Sequence, residues 1–216
     1  GGGGPGGGEG AALDGGGGLA EKPRADLGIS VLFAKNHHPA MGRIQPIRQK
    51  IGKRTIFNLM GPLANPAGVR RQLIGIARPG YVHVYAEAMA ELGTERAMIV
   101  SGDEGLDELS LAGGNEVADI TGDTVLMRRF HAEEAGLPNH PVSALRGGDA
   151  EFNAKALRRL LQGEQSAYRD AVLFNAAASL MVAGEVETLA EGVEEAAEAL
   201  DKGLANTLLD CWIAYK

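Results

Sequence analysis

Between Gln72 and Gly102, two short apolar runs flank a stretch with helical spacing, and no other feature constrains the fold as strongly. QLIGIA, residues 72–77, has the length and apolar character of a buried strand. Pro79 and Gly80 punctuate it, and YVHVYAEAMAELG has the pattern of a helix that ends at Gly93. AMIVSG, residues 97–102, reads as the next strand. A strand–helix–strand run of this length favours a parallel pair joined by a right-handed crossover. The expected class is therefore α/β, a central mixed sheet flanked by helices, with a helical C-terminal part.

Beyond that unit the texture changes twice. LDELSLAG, NEVADITG and DTVLMRRF are short, alternating and separated by Gly, Asn or Asp, which predicts an antiparallel meander. From Phe152 onward the pattern is helical, with helices expected near 153–161, 168–183, 188–200 and 205–214. Gly163, Gly184 and Gly203 fall where those helices should stop. Aromatic residues make up only 5% of the chain, so the core must be built mainly from Ala, Leu, Val and Ile.

The first 28 residues differ from the rest. GGGGPGGGEGAALDGGGG has almost nothing to bury and the greatest backbone entropy to lose, so residues 1–28 read as a disordered or artefactual head. Its glycines have no strand before them and no clear helix after them, so they do not form a phosphate loop. Residues 29–216 read as one α/β domain. The formal net charge of −7 disfavours a nucleic-acid partner, since such a surface repels a phosphate backbone. No apolar run is long enough to span a membrane, and no signal-peptide pattern opens the chain. The single cysteine, Cys211, cannot form an internal disulfide and is expected as a small core residue, which fits a cytoplasmic protein.

Three segments could carry chemistry. SGDEGLDEL, residues 101–109, runs from a buried strand into a loop bearing Asp103, Glu104, Asp107 and Glu108. Loops after the carboxyl ends of parallel strands are where α/β proteins place their sites. Adjacent carboxylates there suit Mg²⁺, which takes one or two protein carboxylates and fills its shell with water and phosphate oxygens. The bland alternative is a solvated acidic turn. The second segment is NHHPAM with Arg48 and the Lys53–Arg54 pair. The histidines have no partner at i+4 spacing, which argues against zinc and leaves them as hydrogen-bonding groups. Arg48 offers a planar fork for a carboxylate, or is an ordinary surface arginine. The third is FNLMGPLANPAG, residues 57–68, where Gly61–Pro62 and Asn65–Pro66 impose a rigid backbone, either a structural corner or a wall for a flat ligand. Ser101 lacks a nucleophile-elbow context, so covalent hydrolysis is not expected.

Taken together these segments resemble one family. LFAKNHHPAMGRIQPIRQKIGKRTIFNLMGPLANPAG resembles the signature stretch of the anthranilate phosphoribosyltransferases, GDEGLDELS their metal-binding segment, and RDAVLFNAAASLMVAG their C-terminal helix. The resemblance runs from about Gly28 to the C-terminus. It implies a catalytic domain like that of the nucleoside phosphorylases and phosphoribosyltransferases. It also implies transfer of a phosphoribosyl group from 5-phosphoribosyl 1-diphosphate to the amine of anthranilate, in tryptophan biosynthesis, with Mg²⁺. On that resemblance Asp107 and Glu108 would hold metal, Arg48 would meet the anthranilate carboxylate, and His38, Gly61 and Pro62 would line its channel. No residue is assigned a direct catalytic role.

The sequence also departs from the family. The Gly-Thr-Gly-Gly-Asp phosphate loop, the Lys-His-Gly-Asn-Arg segment and the small helical domain are not found in it. The expectation is a truncated member with impaired diphosphate binding, in which the family's homodimer is in doubt. A pyrimidine nucleoside phosphorylase and a non-catalytic or nucleic-acid-binding relative are the competing readings.

Overall fold

The computed structural model describes residues 25–31, 63, 65 and 68–215. The chain divides into two compact units, residues 62–204 and residues 1–61 with 205–216. The first contains the sheet. In order, it comprises β1 (Arg71–Gly75), α1 (Val82–Glu91), β2 (Arg96–Gly102), β3 (Asn115–Thr121), β4 (Thr124–Phe130), α2 (Ala150–Leu161), α3 (Ala167–Ala183) and α4 (Leu189–Asp201). α5 (Leu204–Ala214) falls almost wholly in the second unit. There the Tyr215 hydroxyl donates to the Asp26 carboxylate.

The four strands form one sheet in the order β1-β2-β3-β4. β1 and β2 are parallel, with Leu73 opposite Met98 and Gly75 opposite Val100. β2–β3 and β3–β4 are antiparallel, with Val100 opposite Val117 and Val117 opposite Arg128. The sheet is therefore mixed, as the strand–helix–strand pattern and the expected antiparallel meander after it imply.

Side-chain alternation along the strands sends residues into two cores. Met98 and Val100 of β2 join Val117, Phe174, Ala177, Ala178 and Met181 in one cluster. Ala97 and Ile99 join Ala118, Ile120, Val82, Tyr85 and Met89 in the other. β2 is thus covered on both faces, by α3 on one and α1 on the other, which is why AMIV is continuously apolar. Complete burial of a side chain such as Phe174 contributes about 2–3 kcal/mol. β4 is one of the two edge strands among the described residues, and its exposed Arg128 and Arg129 discourage pairing with another strand.

The helices start where side chains satisfy free backbone N–H groups. Asp149 accepts from Phe152 N (2.8 Å) at the start of α2, and Ser166 accepts from Arg169 N (3.2 Å) at the start of α3. Thr188 and Glu191 form a reciprocal capping box at α4. α3 stops at Gly184, whose φ of 86° is open to glycine at no steric cost.

Two expectations need correction. LDELSLAG is not a strand; residues 106–113 form an irregular loop, because side-chain amides rather than a neighbouring strand take up its backbone groups. Cys211 is exposed rather than in the core, on a helix with no buried residue among those described.

Candidate metal-binding loop

The loop 103–114 leaves the end of β2 and returns to the start of β3, and the Asp103 N–H donates to the Gly114 carbonyl (3.0 Å) across its base. Two tight turns begin it, with Gly105 N donating to Gly102 O (2.9 Å) and Gly102 N to Leu106 O (3.0 Å). Gly105 has φ +85° and lies against the Ala77 carbonyl. The next turn brings the Asp107 carbonyl directly against Gly75, at the last residue of β1. The loop therefore lies across the carboxyl ends of both parallel strands, where α/β sheets place ligands.

Two asparagines replace the missing strand partners. The Asn175 side chain of α3 accepts from Leu109 N (2.8 Å) and donates to Leu109 O (3.0 Å). The buried Asn115 side chain accepts from Ser110 N (2.6 Å) and donates to Ser110 O (3.0 Å) and Phe130 O (3.1 Å). Four backbone groups of two consecutive residues are thereby satisfied without a ladder. Leu109 and Leu111 are then free to enter the core beside Phe174.

Three of the loop's carboxylates separate into different roles. Asp103 is paired with Arg129, which also reaches Glu116 (3.1 Å), so its charge is already engaged. Asp107 and Glu108 are exposed and adjacent. Partial burial of its carboxyl, and then the neighbouring Asp107 carboxylate, push the Glu108 pKa above the usual carboxylate range. The charge of Asp107 beside Glu108 is unfavourable, and a cation between the two would relieve that repulsion. Among the described residues no group of three or more His, Cys, Asp or Glu converges on a metal position. A pair is nevertheless enough for Mg²⁺, whose remaining positions go to water and phosphate, and two crowded carboxylates are a donor set that this ion suits.

The structure thus sorts Asp103 away from the Asp107–Glu108 pair. His38, Arg48, Gly61 and Pro62 lie outside the described residues. Gly75, Asn115, Arg129 and Asn175 escape the sequence reading altogether. Asn175 carries a usable signal, because an Asn inside an Ala-rich helix opposes helix propensity and needs a reason.

Residues 15–206, which include this sheet and its carboxylate loop, match the family model "Glycosyl transferase family, a/b domain". The chain belongs to that family. It is 70% identical over 197 residues to the anthranilate phosphoribosyltransferase of Sphingopyxis alaskensis, covering 91% of this chain and 59% of that protein. The crystal structure of anthranilate phosphoribosyltransferase from Thermus thermophilus superposes with a TM-score of 0.84 at 40% identity, covering 90% of this chain and 58% of that one. The Saccharomyces cerevisiae anthranilate phosphoribosyltransferase in complex with PRPP and Mg gives a TM-score of 0.83 at 27% identity, over 89% of this chain and 56% of that one. The chain thus spans less than two thirds of the length of these relatives.

Proposed function

We propose that this chain carries the anthranilate phosphoribosyltransferase reaction of tryptophan biosynthesis, with Asp107 and Glu108 holding Mg²⁺. The Asp107–Glu108 pair on a loop anchored across the ends of β1 and β2 carries this reading, together with 70% identity to the Sphingopyxis enzyme. In the reaction the anthranilate amine attacks C1 of the ribose as the C1–O bond to diphosphate breaks. The diphosphate leaves with the electron pair and the amine gives up one proton. A bound Mg²⁺ supplies charge stabilisation to the departing diphosphate. The protein's part is to fix geometry, because orientation of two bound reactants supplies much of the rate.

Arg48 is proposed to meet the anthranilate carboxylate with its guanidinium, and His38, Gly61 and Pro62 to line the anthranilate channel. Residues 29–216 are proposed as the α/β domain, following the Gly-rich head at 1–28. Anthranilate and 5-phosphoribosyl 1-diphosphate are the proposed partners, a nucleic-acid partner is not, and the cytoplasm is the proposed location. In support, the net charge is −7, and no described helix is long and apolar enough to cross a membrane.

The test follows anthranilate fluorescence with the purified chain, 5-phosphoribosyl 1-diphosphate and Mg²⁺. The expected result is a slow loss of fluorescence, in line with impaired diphosphate binding, that requires Mg²⁺ and disappears in Asp107→Ala and Glu108→Ala. Consumption that proceeds without Mg²⁺, or equally well in both variants, overturns the proposal. Cleavage of thymidine or uridine with phosphate would point to a nucleoside phosphorylase instead.

A further inference from the structure

The Asp107–Glu108 pair stands between two fixed points. On one side the Asp107 carbonyl is pressed against Gly75 of β1. On the other, Leu109, only 1% exposed, is held through both its N–H and its carbonyl by the Asn175 side chain. Asn175 is itself held, since its Nδ2 also donates to Ala171 O (3.0 Å) one turn earlier in α3. That helix is packed into the core through Phe174, Ala177, Ala178 and Met181. A side chain that bonds both backbone groups of one residue fixes the rotation of that residue about the chain, and so the direction in which the preceding side chain leaves the loop. The preceding residue is Glu108.

We infer that Asn175 is a positioning residue for the metal carboxylates: it touches neither ion nor substrate, and sets metal affinity by fixing the peptide that follows Glu108. The inference rests on the reading of Asp107 and Glu108 as metal-binding residues. It assigns the asparagine of α3 a role that a purely structural helix residue would not have. The physical precedent is general, because loss of a group that orients a metal ligand typically costs about 10–100-fold in affinity.

The experiment titrates the full chain with Mn²⁺ and measures free Mn²⁺ by electron paramagnetic resonance. Wild-type chain is expected to bind, and Glu108→Gln to lose binding. Asn175→Ala is expected to bind about tenfold more weakly, in line with the loss of an orienting group. Asn175→Asp keeps an acceptor for Leu109 N–H but loses the donor, so its affinity should fall between the two. Met181→Ala, a core truncation on the same helix, should lower the melting temperature and leave Mn²⁺ affinity unchanged. Wild-type affinity in folded Asn175→Ala, alongside loss in Glu108→Gln, overturns the inference and leaves the metal reading standing. Equal weakening in Met181→Ala also overturns it, because the effect would then be one of stability. Binding that depends on neither Asp107 nor Glu108 removes the metal reading and this inference with it. If Asn175→Ala does not fold, Asn175→Asp carries the same comparison: weakened binding supports the inference and wild-type binding overturns it.

Discussion

The carbonyl oxygen of Asp107 occupies the place a side chain on Gly75 would need: a Cβ built on Gly75 would lie 1.5 Å from that oxygen and 2.6 Å from its carbon. Both atoms are backbone, so no rotamer change can relieve the overlap. The absence of a side chain at the end of β1 is thus what lets the acidic loop rest on the sheet.

Gly75→Ala should therefore lift the loop. The expected cost is about 1–3 kcal/mol, the range for forcing an extra methyl into a packed region. Urea unfolding should show a lower midpoint, and Mn²⁺ binding should weaken at the same time. Wild-type stability together with wild-type binding would show that the close approach has no consequence.

Asp103 should behave unlike Asp107, although both lie in one acidic loop. Its partner Arg129 is about half exposed, with 48% of its side-chain surface accessible, so the ion pair is of the kind worth about 0–1 kcal/mol. Asp103→Asn is expected to lower stability slightly, with the difference vanishing in high salt, and to leave Mn²⁺ binding intact. Loss of Mn²⁺ binding comparable to that of Asp107→Asn would mean that Asp103 belongs to the metal site.

Glu108 gives a pH dependence of definite sign. Its folded-state pKa lies above the ordinary carboxylate value, because partial burial and then Asp107 oppose ionisation. The folded state therefore holds this proton more tightly than the unfolded chain does. Stability is favoured below the ordinary carboxylate range and is lost as pH rises through that range to the raised folded value. Glu108→Gln, which cannot ionise, should be more stable than wild type at neutral pH and gain nothing near pH 4, a value below the ordinary Glu pKa of about 4.3. Metal binding should show the opposite trend, strengthening as the proton leaves. Thermal melts across pH, with and without Mn²⁺, check both; an unchanged stability difference between the two proteins at acid and neutral pH would refute the first.

The sheet and the helices are legible in the sequence because their signals are local or periodic. AMIV is apolar without alternation since β2 is covered on both faces, and Gly184 marks the end of α3 through its positive φ. LDELSLAG imitates a strand for a physical reason: Leu109 and Leu111 alternate with polar residues and are buried, as in a strand, but Asn115 and Asn175 rather than a strand hold the backbone. Alternation reports burial, not which partner takes the hydrogen bonds. Cys211 departs from expectation because an apolar C-terminal run does not say which residues face solvent. The division of the acidic loop into an arginine-paired Asp103 and an Asp107–Glu108 pair is beyond the sequence, since Arg129 is 26 positions from Asp103.

Asn175 and Leu109 are 66 positions apart, so the clasp on the carboxylate loop is not made by neighbouring chain. A nascent chain presents Asp107 and Glu108 long before the residue that secures them has been synthesised. Until α3 has left the ribosome and docked, the acidic loop has its turns and its hairpin base but lacks this anchor. Completion of the loop during synthesis is therefore timed by the C-terminal helices, and a polypeptide released before residue 175 would carry the carboxylates without their Asn175 clasp.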